Sequence, residues 1–187
     1  MSEGELVRHA RAGDVAAWEQ LVLAHQEAVF RLAYLILGDP ADAQDAAQDA
    51  LIRAYRALDG FDESRPLRPW LLTIVANQAR NRRRAAWRYI QALQRGLLAE
   101  PDAAKRSAPD PADQGDGNEL WQAVRRLNPA DQEVIYLRYF LELPVSEAAQ
   151  TLGVPDGTVK SRLNRALARL REVIQRDFPT LQEDALS

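Results

Sequence analysis

The chain has 187 residues, a formal net charge of -3 and no cysteine, and 47% of its residues are hydrophobic. This length allows one or two packed domains, and the lack of cysteine excludes disulfides, thiolate metal sites and a cysteine nucleophile. The only histidines, His9 and His25, do not favour a histidine metal site or a catalytic triad. No apolar run reaches the roughly 18 residues of a membrane span, and no signal-like stretch follows Met1. We therefore expect a soluble cytoplasmic protein without membrane insertion.

Charge is distributed unevenly along the chain. Residues 1–60 carry a net -5, whereas residues 61–95 carry a net +6, with eight Lys/Arg against two Asp/Glu. Five arginines lie in the nine residues from Arg80 to Arg88. Nucleic acid responds to such a local patch more than to the total charge, so this segment indicates nucleic-acid binding.

Apolar residues recur at helical spacing through the first 95 residues, which predicts a domain of about four helices. Asp14 is a suitable N-cap for a long helix that contains Trp18 and ends before Gly38. Asp39-Pro40 then begins another helix. Its predicted buried face consists of Ala43, Ala47, Ala50, Leu51, Ala54 and Leu58.

A loop is predicted for residues 60–69, and the next helix is expected to start near Trp70 and to continue into the arginine cluster. Residues 96–117 are rich in Pro, Asp, Ala and Gly without apolar periodicity after Leu98, which predicts a flexible linker. The predicted domains are therefore residues 1–95 and 118–187, and the predicted fold class is all-α.

Four helices are predicted after the linker. Asn118 is a candidate cap for the first, and Asn128-Pro129 begins the second with proline at the first helical position. The third is short and lies around Ala148 and Ala149. Gly153 turns the chain, and Asp156 is a candidate cap for the fourth helix, which we expect to end near residue 177.

The last two helices have the layout of a DNA-binding helix-turn-helix, with small residues, a glycine turn and an amphipathic second helix. One face of that second helix is apolar, and the remaining positions carry groups that can donate hydrogen bonds to bases or phosphates. The candidate DNA-binding residues are Thr158, Lys160, Ser161, Arg162, Arg165 and Arg169. The alternative interpretation is a solvated amphipathic helix with surface arginines, and this alternative is strongest for Arg169.

Three segments in this order resemble the sigma-70 family of bacterial RNA polymerase initiation factors, in particular its small extracytoplasmic-function (ECF) group. "GDPADAQDAAQDALIRAYRAL" is similar to the helix that binds core polymerase, and "RPLRPWLLTIVANQARNRRR" to the segment that binds the promoter -10 element. "LNPADQEVIYLRYFLELPVSEAAQTLGVPDGTVKSRLNRALARLRE" is similar to the -35-binding domain. The resemblance covers roughly residues 10–95 and 118–175, and the larger sigma factors' extra domains are not seen.

The resemblance implies roles for features already noted. An acidic helix face would contact the clamp helices of the polymerase largest subunit, although a solvated surface is the plainer interpretation of such charges. This face consists of Asp42, Asp45, Gln48 and Asp49. Residues over the -10 element would be Asn77, Arg80, Asn81, Arg82, Arg83 and Arg84, with the arginines mostly on phosphates.

The loop after residue 60 would correspond to the specificity loop that holds a base flipped out of the non-template strand. Candidates for this contact are Phe61, Asp62, Glu63 and Ser64, and a plain surface loop is the alternative. We expect Trp70 to belong to the core.

Four positions depart from the family pattern. Pro144 stands where a Ser or Thr cap is usual, so the capping box with Glu147 is lost. Pro69 replaces a small polar residue, which could stiffen the specificity loop. Gln132 and Asn81 stand where a charged residue is common.

The predicted function is therefore that of an ECF sigma factor that binds core polymerase, recognises the -10 and -35 elements and promotes DNA opening. Expected partners are core RNA polymerase, through its clamp helices and flap, promoter DNA and an anti-sigma factor. No catalytic residue, metal, cofactor or small-molecule substrate is expected. The alternatives are a stand-alone helix-turn-helix regulator, an enzyme and a structural interaction protein. Binding to core polymerase discriminates the sigma factor from the stand-alone regulator, metal-independent activity on nucleotides would test for the enzyme, and a structural protein gives no reason for two separate basic helices.

Overall fold

A computed structural model describes residues 1–97, 119–179 and 181, and every regular element within these ranges is helical. The chain divides into two compact units, Met1–Pro109 and Asp110–Ser187. The prediction of an all-α protein with two helical domains is thereby confirmed. Most of the predicted linker lies outside the described residues.

Residues 1–97 of the first unit form four helices and one short turn. Helix α1 spans Glu3–Arg11, α2 spans Val15–Leu37, α3 spans Pro40–Ala57 and α4 spans Leu67–Leu97. A 3-10 turn, Leu58–Gly60, follows α3. Within the described residues, none of the helices is long and apolar enough to cross a membrane.

The predicted capping residues mark both ends of α2 and the start of α3. The Asp14 carboxylate accepts hydrogen bonds from the backbone N–H groups of Ala16 and Ala17 at 3.0 and 3.2 Å. Gly38 ends α2 in the left-handed conformation with φ 81°, and the Asp39 side chain accepts the N–H of Asp42 at 2.8 Å. These contacts satisfy backbone groups that a helix end leaves without partners.

Helix α3 buries alanines against its neighbours. Ala43, Ala46 and Ala54 have no exposed surface, and Ala50 is 2% exposed. Because alanine adds little width, α2 and α4 can both approach α3 closely, as close helix packing requires. Leu51, predicted for the same face, is only half-buried.

No helix was predicted before Asp14, although Ser2 and Glu5 form the capping box that starts α1. Helix α1 holds the start of α4 in place. The Glu3 carboxylate accepts the backbone N–H of Leu67 at 3.1 Å and lies 3.0 Å from Nε2 of His25 on α2. A carboxylate at a helix N-terminus is favoured by the helix dipole. Consequently α4 begins at Leu67, three residues before the predicted start near Trp70, and it also passes the predicted domain end at residue 95.

The second unit contains α5, Glu119–Arg125, and α6, Pro129–Ile135, which continues as a π-helical turn, Tyr136–Phe140. The predicted cap Asn128 accepts the N–H of Asp131 at 3.0 Å, and Pro129 occupies the first helical position. The other predicted cap, Asn118, lies outside the described residues. Gln132 is buried, and its amide donates to the carbonyls of Arg125 and Leu127 at 2.8 and 2.7 Å.

The helix-turn-helix consists of α7, Val145–Leu152, and α8, Asp156–Asp177. Gly153 makes the turn with φ 66°, and Pro144 precedes α7 without any side-chain cap, as expected. The prediction that Asp156 caps α8 is wrong, because Pro155 holds the cap position and Asp156 is the first helical residue. The predicted apolar stripe is buried at Val159, Ala166, Leu170 and Val173, and Leu163 is half-buried.

The alanine face of α3 makes a testable prediction about stability. Ala46→Leu inserts three carbon atoms where no surface is exposed, and such overpacking costs about 1–3 kcal/mol. The exposed Ala41→Leu on the same helix should change the free energy of unfolding by less than about 0.5 kcal/mol. Urea unfolding followed by circular dichroism compares the two variants, and equal effects would contradict the close packing of α3.

Candidate nucleic-acid interface

Helix α4 carries seven arginines and no acidic residue. Asn77, Asn81 and Arg84 are exposed along its middle part, and Arg80 is half-buried, with its guanidinium donating to Oδ1 of Asn77 at 2.9 Å. At about 100° per residue these four positions fall on one side of the helix. The structure therefore brings four of the predicted -10 residues together on one face.

Two other predicted -10 residues point back into the protein. Arg82 lies 2.7 Å from Oδ2 of Asp49 and 3.7 Å from Asp45, both on α3. The hydrogen bond with Asp49 raises the pKa of the Arg82 guanidinium, and the charge of Asp45 adds to the effect. The Arg83 guanidinium donates to the carbonyl of Ile36 at 3.5 Å, in the last turn of α2.

The predicted phosphate contacts of Arg82 and Arg83 therefore do not fit this conformation. Cations at the C-terminal end of a helix stabilise its unpaired carbonyls, which accounts for Arg83. Arg82 joins the two helices instead. Consecutive arginines point in different directions around a helix, so only some of them can face a common ligand.

The predicted polymerase-binding face is an exposed surface of α3. Asp42, Asp45, Gln48 and Asp49 are all exposed and lie opposite the alanines that α3 buries. Since Arg82 contacts Asp45 and Asp49, this acidic face borders the arginines of α4 directly. The two surfaces predicted for different ligands are therefore neighbours in the first unit.

The loop after the 3-10 turn is held by its own side chains. Oδ1 of Asp62 accepts the backbone N–H of Ser64 at 3.0 Å and its hydroxyl at 2.7 Å. These bonds favour the ionised carboxylate and lower the pKa of Asp62, with the Ser64 hydroxyl as the largest cause. Asp62 and Ser64 are both exposed, so they are placed where a ligand could reach them.

Helix α1 holds the rest of this loop, and the sequence contained no signal for this contact. Glu63 forms ion pairs with Arg8 at 3.3 Å and with Arg11 at 2.6 Å. Arg11 also donates to the carbonyls of Leu58 and Phe61. These partners are about fifty residues apart in the chain, and no local pattern connects them. The predicted availability of Glu63 for a base is reduced accordingly.

Phe61 does not fit the predicted base contact. Its side chain is 6% exposed, and its ring lies 4.9 Å from the ring of Trp70, between centroids. A ring buried in this way cannot hold a flipped base at the same time. The expectation that Trp70 packs in the interior agrees with this contact, although Trp70 itself is half-buried.

In the second unit, α8 presents several predicted DNA-binding residues. Ser161 and Arg165 are exposed, while Thr158 and Arg162 are half-buried. The Ser161 hydroxyl donates to the carbonyl of Thr158 at 3.1 Å, and Nε of Arg165 donates to the carbonyl of Ser161 at 3.2 Å. Lys160 is also exposed, but it lies about 200° around the helix from Thr158 and thus on another side.

Arg169 has a structural partner rather than a free guanidinium. Its guanidinium lies 2.5 Å from the carboxylate of Asp131, a residue that is only 3% exposed. The Asp131 carboxylate also accepts the side-chain amide of Asn128 at 2.6 Å, so this cluster joins the start of α6 to α8. The predicted DNA contact of Arg169 does not fit this conformation, because its charge compensates a buried carboxylate.

Within residues 1–97, 119–179 and 181, no group of three or more His, Asp or Glu side chains is arranged to hold a metal ion. The basic face of α4 and the basic N-terminal half of α8 suit a polyanion.

Comparison with known proteins places the chain in a protein family. The profile of Sigma-70 region 2 matches residues 21–89, and the profile of Sigma-70, region 4 matches residues 117–170. The chain is 35% identical over 165 residues to the RNA polymerase sigma-E factor of Streptomyces avermitilis, which covers 87% of this chain and 88% of that protein. It is 30% identical over 185 residues to the ECF RNA polymerase sigma factor SigW of Bacillus subtilis, covering 90% and 95%.

Solved structures agree with this placement. CnrH, solved in complex with the cytosolic domain of CnrY, has a TM-score of 0.69 at 29% identity, covering 94% of this chain and 98% of that one. The sigma factor RpoE of Bartonella quintana, solved with the anti-sigma factor NepR, has a TM-score of 0.61 at 27% identity, covering 87% and 99%. The fold and these matches thus define a promoter-specificity subunit of RNA polymerase. The chain belongs to the sigma-70 family, within its extracytoplasmic-function group.

The ion pair between Arg169 and Asp131 predicts that replacing Arg169 lowers the stability of the second unit without a matching loss of DNA binding. Arg169→Met leaves a buried carboxylate without its cation, which should lower the free energy of unfolding of the second unit by about 1–3 kcal/mol. Arg171→Gln, an exposed change on the same helix, should leave it within about 0.5 kcal/mol. Urea unfolding followed by tryptophan fluorescence makes the comparison, and an unchanged midpoint for Arg169→Met would contradict a structural role.

The turn at Asp62 predicts a change in titration. Ser64→Ala removes the hydroxyl that favours the ionised carboxylate, so the pKa of Asp62 should rise towards its ordinary value. A lowered pKa means that the turn is stabilised above the ordinary pKa and loses this contribution as the pH falls through the lowered value. Carboxyl NMR titration measures the shift, with Asp59 as an internal reference. An unchanged pKa would show that the turn does not form in solution.

Proposed function

We propose that this sigma factor binds core RNA polymerase through the acidic face of α3 and contacts promoter DNA through α4 and α8. One observation carries the proposal: a single chain presents an exposed acidic face, a neighbouring basic helix face and a separate helix-turn-helix. The stand-alone regulator accounts only for the last of these features. An initiation factor accounts for all three.

The polymerase contact is assigned to Asp42, Asp45, Gln48 and Asp49, facing basic side chains of the clamp helices. Their exposure supports this role, and so does the burial of the opposite face of α3, which fixes the direction in which they point. Opposite charges across such an interface speed the encounter and fix the register more than they add affinity. The flap of the polymerase is the proposed partner of the second unit.

The -10 contact is assigned to Asn77, Arg80, Asn81 and Arg84, together with Asp62 and Ser64 of the loop. An amide can pair with a base edge, whereas guanidinium groups on a helix face suit phosphates. Arg82 and Arg83 support the position of α4 by binding α3 and α2. The -35 contact is assigned to Thr158, Ser161, Arg162 and Arg165 on α8, with Lys160 on a flanking phosphate.

The chain itself performs no bond chemistry in this proposal, because the polymerase supplies the catalytic metal site. We place its work in the bacterial cytoplasm, where the polymerase and the promoter are. An anti-sigma factor is the proposed regulator, since CnrH was solved with CnrY and RpoE with the anti-sigma factor NepR. Predicted linker residues 96–117 would connect the two promoter contacts.

Run-off transcription tests the function directly. Purified core polymerase, with and without the full chain, is supplied with a pool of genomic promoter fragments. Discrete new transcripts would support the proposal, and their aligned start sites would reveal the -10 and -35 sequences. No transcripts together with no binding to core would contradict it, and specific DNA binding by the chain alone would then favour the stand-alone regulator.

The polymerase contact makes a quantitative prediction. Asp42→Asn combined with Asp45→Asn removes two exposed charges and should weaken binding to core by about two- to thirtyfold, since such pairs contribute about 0.2–1 kcal/mol each. Glu27→Gln, an exposed change on α2, is the control and should have no effect. Fluorescence anisotropy of the labelled chain measures the affinity, and the difference should shrink as salt increases.

The -35 contact should be visible in the salt dependence of DNA binding. If the Arg165 guanidinium contacts a phosphate, Arg165→Gln should lower the slope of log K against log salt by about 0.9 for the holoenzyme. Arg171→Gln on the same helix is the control. A base contact would instead weaken binding to the mapped promoter with little change in slope, and an effect of neither kind would remove Arg165 from the interface.

A further inference from the structure

We propose that Trp87, between Arg84 and Arg88 on the second half of α4, packs against duplex promoter DNA beyond the -10 contacts. The inference deepens the proposed function and rests on it. None of the -10 residues considered so far lies beyond Arg84. The feature that requires an explanation is a large ring that lies in solvent on a helix rich in cations.

The exposure of Trp87 is unusual for its size. Its side chain is 61% exposed, whereas Trp18, Trp70 and Trp121 are each partly buried, and each contacts another aromatic ring. Among the described residues, no other ring lies against Trp87. Tryptophan and arginine are the residues that most often dominate binding interfaces, so an exposed ring among arginines marks a candidate contact.

Helix geometry places Trp87 on the predicted DNA face. Counting about 100° per residue, Trp87 lies about 20° from Arg80 and about 60° from Arg84 around the axis, and Arg88 falls on the same side. The spacing Asn77, Arg80, Arg84 and Trp87 is three, four and three residues, which is the spacing of one helical stripe. The ring therefore extends the face that begins at Asn77.

Charge complementarity identifies the ligand as nucleic acid. Between Ser64 and Ala99 the chain contains no acidic residue, and Arg84 and Arg88 are both exposed. From Arg80 to Arg88 the helix rises about 12 Å, over which a DNA duplex presents about seven phosphates. The apolar ring between these cations would cover sugar carbons and exclude water from the neighbouring arginine–phosphate contacts.

The form of the DNA follows from the position of the ring along α4. The predicted flipped-base contacts, Asp62 and Ser64, lie before the start of α4, and Trp87 lies about 30 Å further along the helix axis from Leu67. Arg80, Arg84 and Arg88 recur every four residues along α4, and cations at this regular spacing match the regular phosphates of a duplex better than a flexible single strand. The proposed ligand is therefore the duplex on the side away from the flipped base.

Tyr89 provides a matched control on the same helix. It is 66% exposed and aromatic, but it lies about 200° around the axis from Trp87 and thus on the other side. Trp87→Ala and Tyr89→Ala remove similar amounts of exposed ring surface. Both variants should keep the wild-type unfolding midpoint, so a loss of binding cannot be attributed to unfolding.

The experiment measures binding of holoenzyme to two fluorescent fragments of the mapped promoter. One fragment retains about 10 base pairs of duplex beyond the -10 element, on the side away from the flipped base, and the other ends at that element. The extra duplex is long enough, because the distance along α4 from Asn77 to Trp87 equals about four base-pair steps. Trp87→Ala should weaken binding to the longer fragment roughly fivefold to tenfold and leave the shorter one unchanged. Tyr89→Ala should leave both within about twofold.

Salt dependence separates the ring from the charges. Trp87→Ala should lower affinity without changing the slope of log K against log salt, whereas Arg88→Gln should lower that slope by about 0.9. Three outcomes for Trp87→Ala would each overturn the inference. They are an equal loss of affinity for both fragments, a loss of affinity only when the extra DNA is single-stranded, and weaker binding to core polymerase without an effect on DNA binding. If wild-type holoenzyme initiates transcription and Trp87→Ala matches it on both fragments, only this inference fails; if wild-type chain gives no transcript, the proposed function fails.

Discussion

The close packing of α3 between α2 and α4 determines where every functional surface of the first unit lies. Buried alanines at positions 43, 46, 50 and 54 allow three helices to approach one another. With that face buried, the acidic positions of α3 must point outward. The same packing brings Arg82 of α4 within 2.7 Å of Asp49. One small-residue stripe therefore orients both a candidate polymerase surface and a candidate DNA surface.

The arginines of this chain divide into two groups with different physical roles. Some compensate groups inside the protein: Arg11 binds loop carbonyls, Arg82 binds α3, Arg83 binds the end of α2 and Arg169 binds buried Asp131. Others are exposed on α4 and α8 without such a task. Removing Arg11 or Arg169 should disturb the fold, because a part-buried carbonyl or the buried Asp131 carboxylate is left behind, whereas the aspartates that pair with Arg82 are exposed. Removing a member of the second group should affect binding alone.

The loop between α3 and α4 shows how a site can depend on a distant element. Its sequence indicates a turn, and Asp62 with Ser64 makes that turn locally. Its position on the bundle is nevertheless set by Arg8, Arg11 and Glu3 of α1. Burial of Phe61 against Trp70 adds an apolar anchor. The loop is therefore held at both ends before any DNA arrives, which reduces the entropy that binding must overcome.

Neighbouring acidic and basic faces also have a consequence for assembly. In the proposed complex, cations of the polymerase surface would compete with Arg82 for Asp45 and Asp49, because Arg82 already lies beside both carboxylates. Exposed pairs of this kind contribute little to stability, so exchange between partners would be inexpensive. The proposed polymerase contact would then be linked to the position of the Arg82 side chain.

Much of this protein was determined by local sequence. Several features depend on residues within a few positions of one another. They are the helix caps at Asp14, Asp39 and Asn128, the left-handed turns at Gly38 and Gly153, and the apolar stripes of α3 and α8. Such features can be predicted because the interacting groups are neighbours in the chain. The family resemblance added the expected ligands by matching whole segments in order, and the similarity to known sigma factors confirms that family.

Tertiary structure alone decided which of several chemically similar side chains remain available. The sequence contains a run of arginines, but only packing shows that Arg82 and Arg83 are turned towards α3 and α2 while Arg84 is exposed. It likewise contains Phe61 in a loop, yet that ring is buried by Trp70, and Arg169 is committed to a carboxylate 38 residues earlier in the chain. These outcomes depend on contacts between distant positions, and local periodicity carries no information about them.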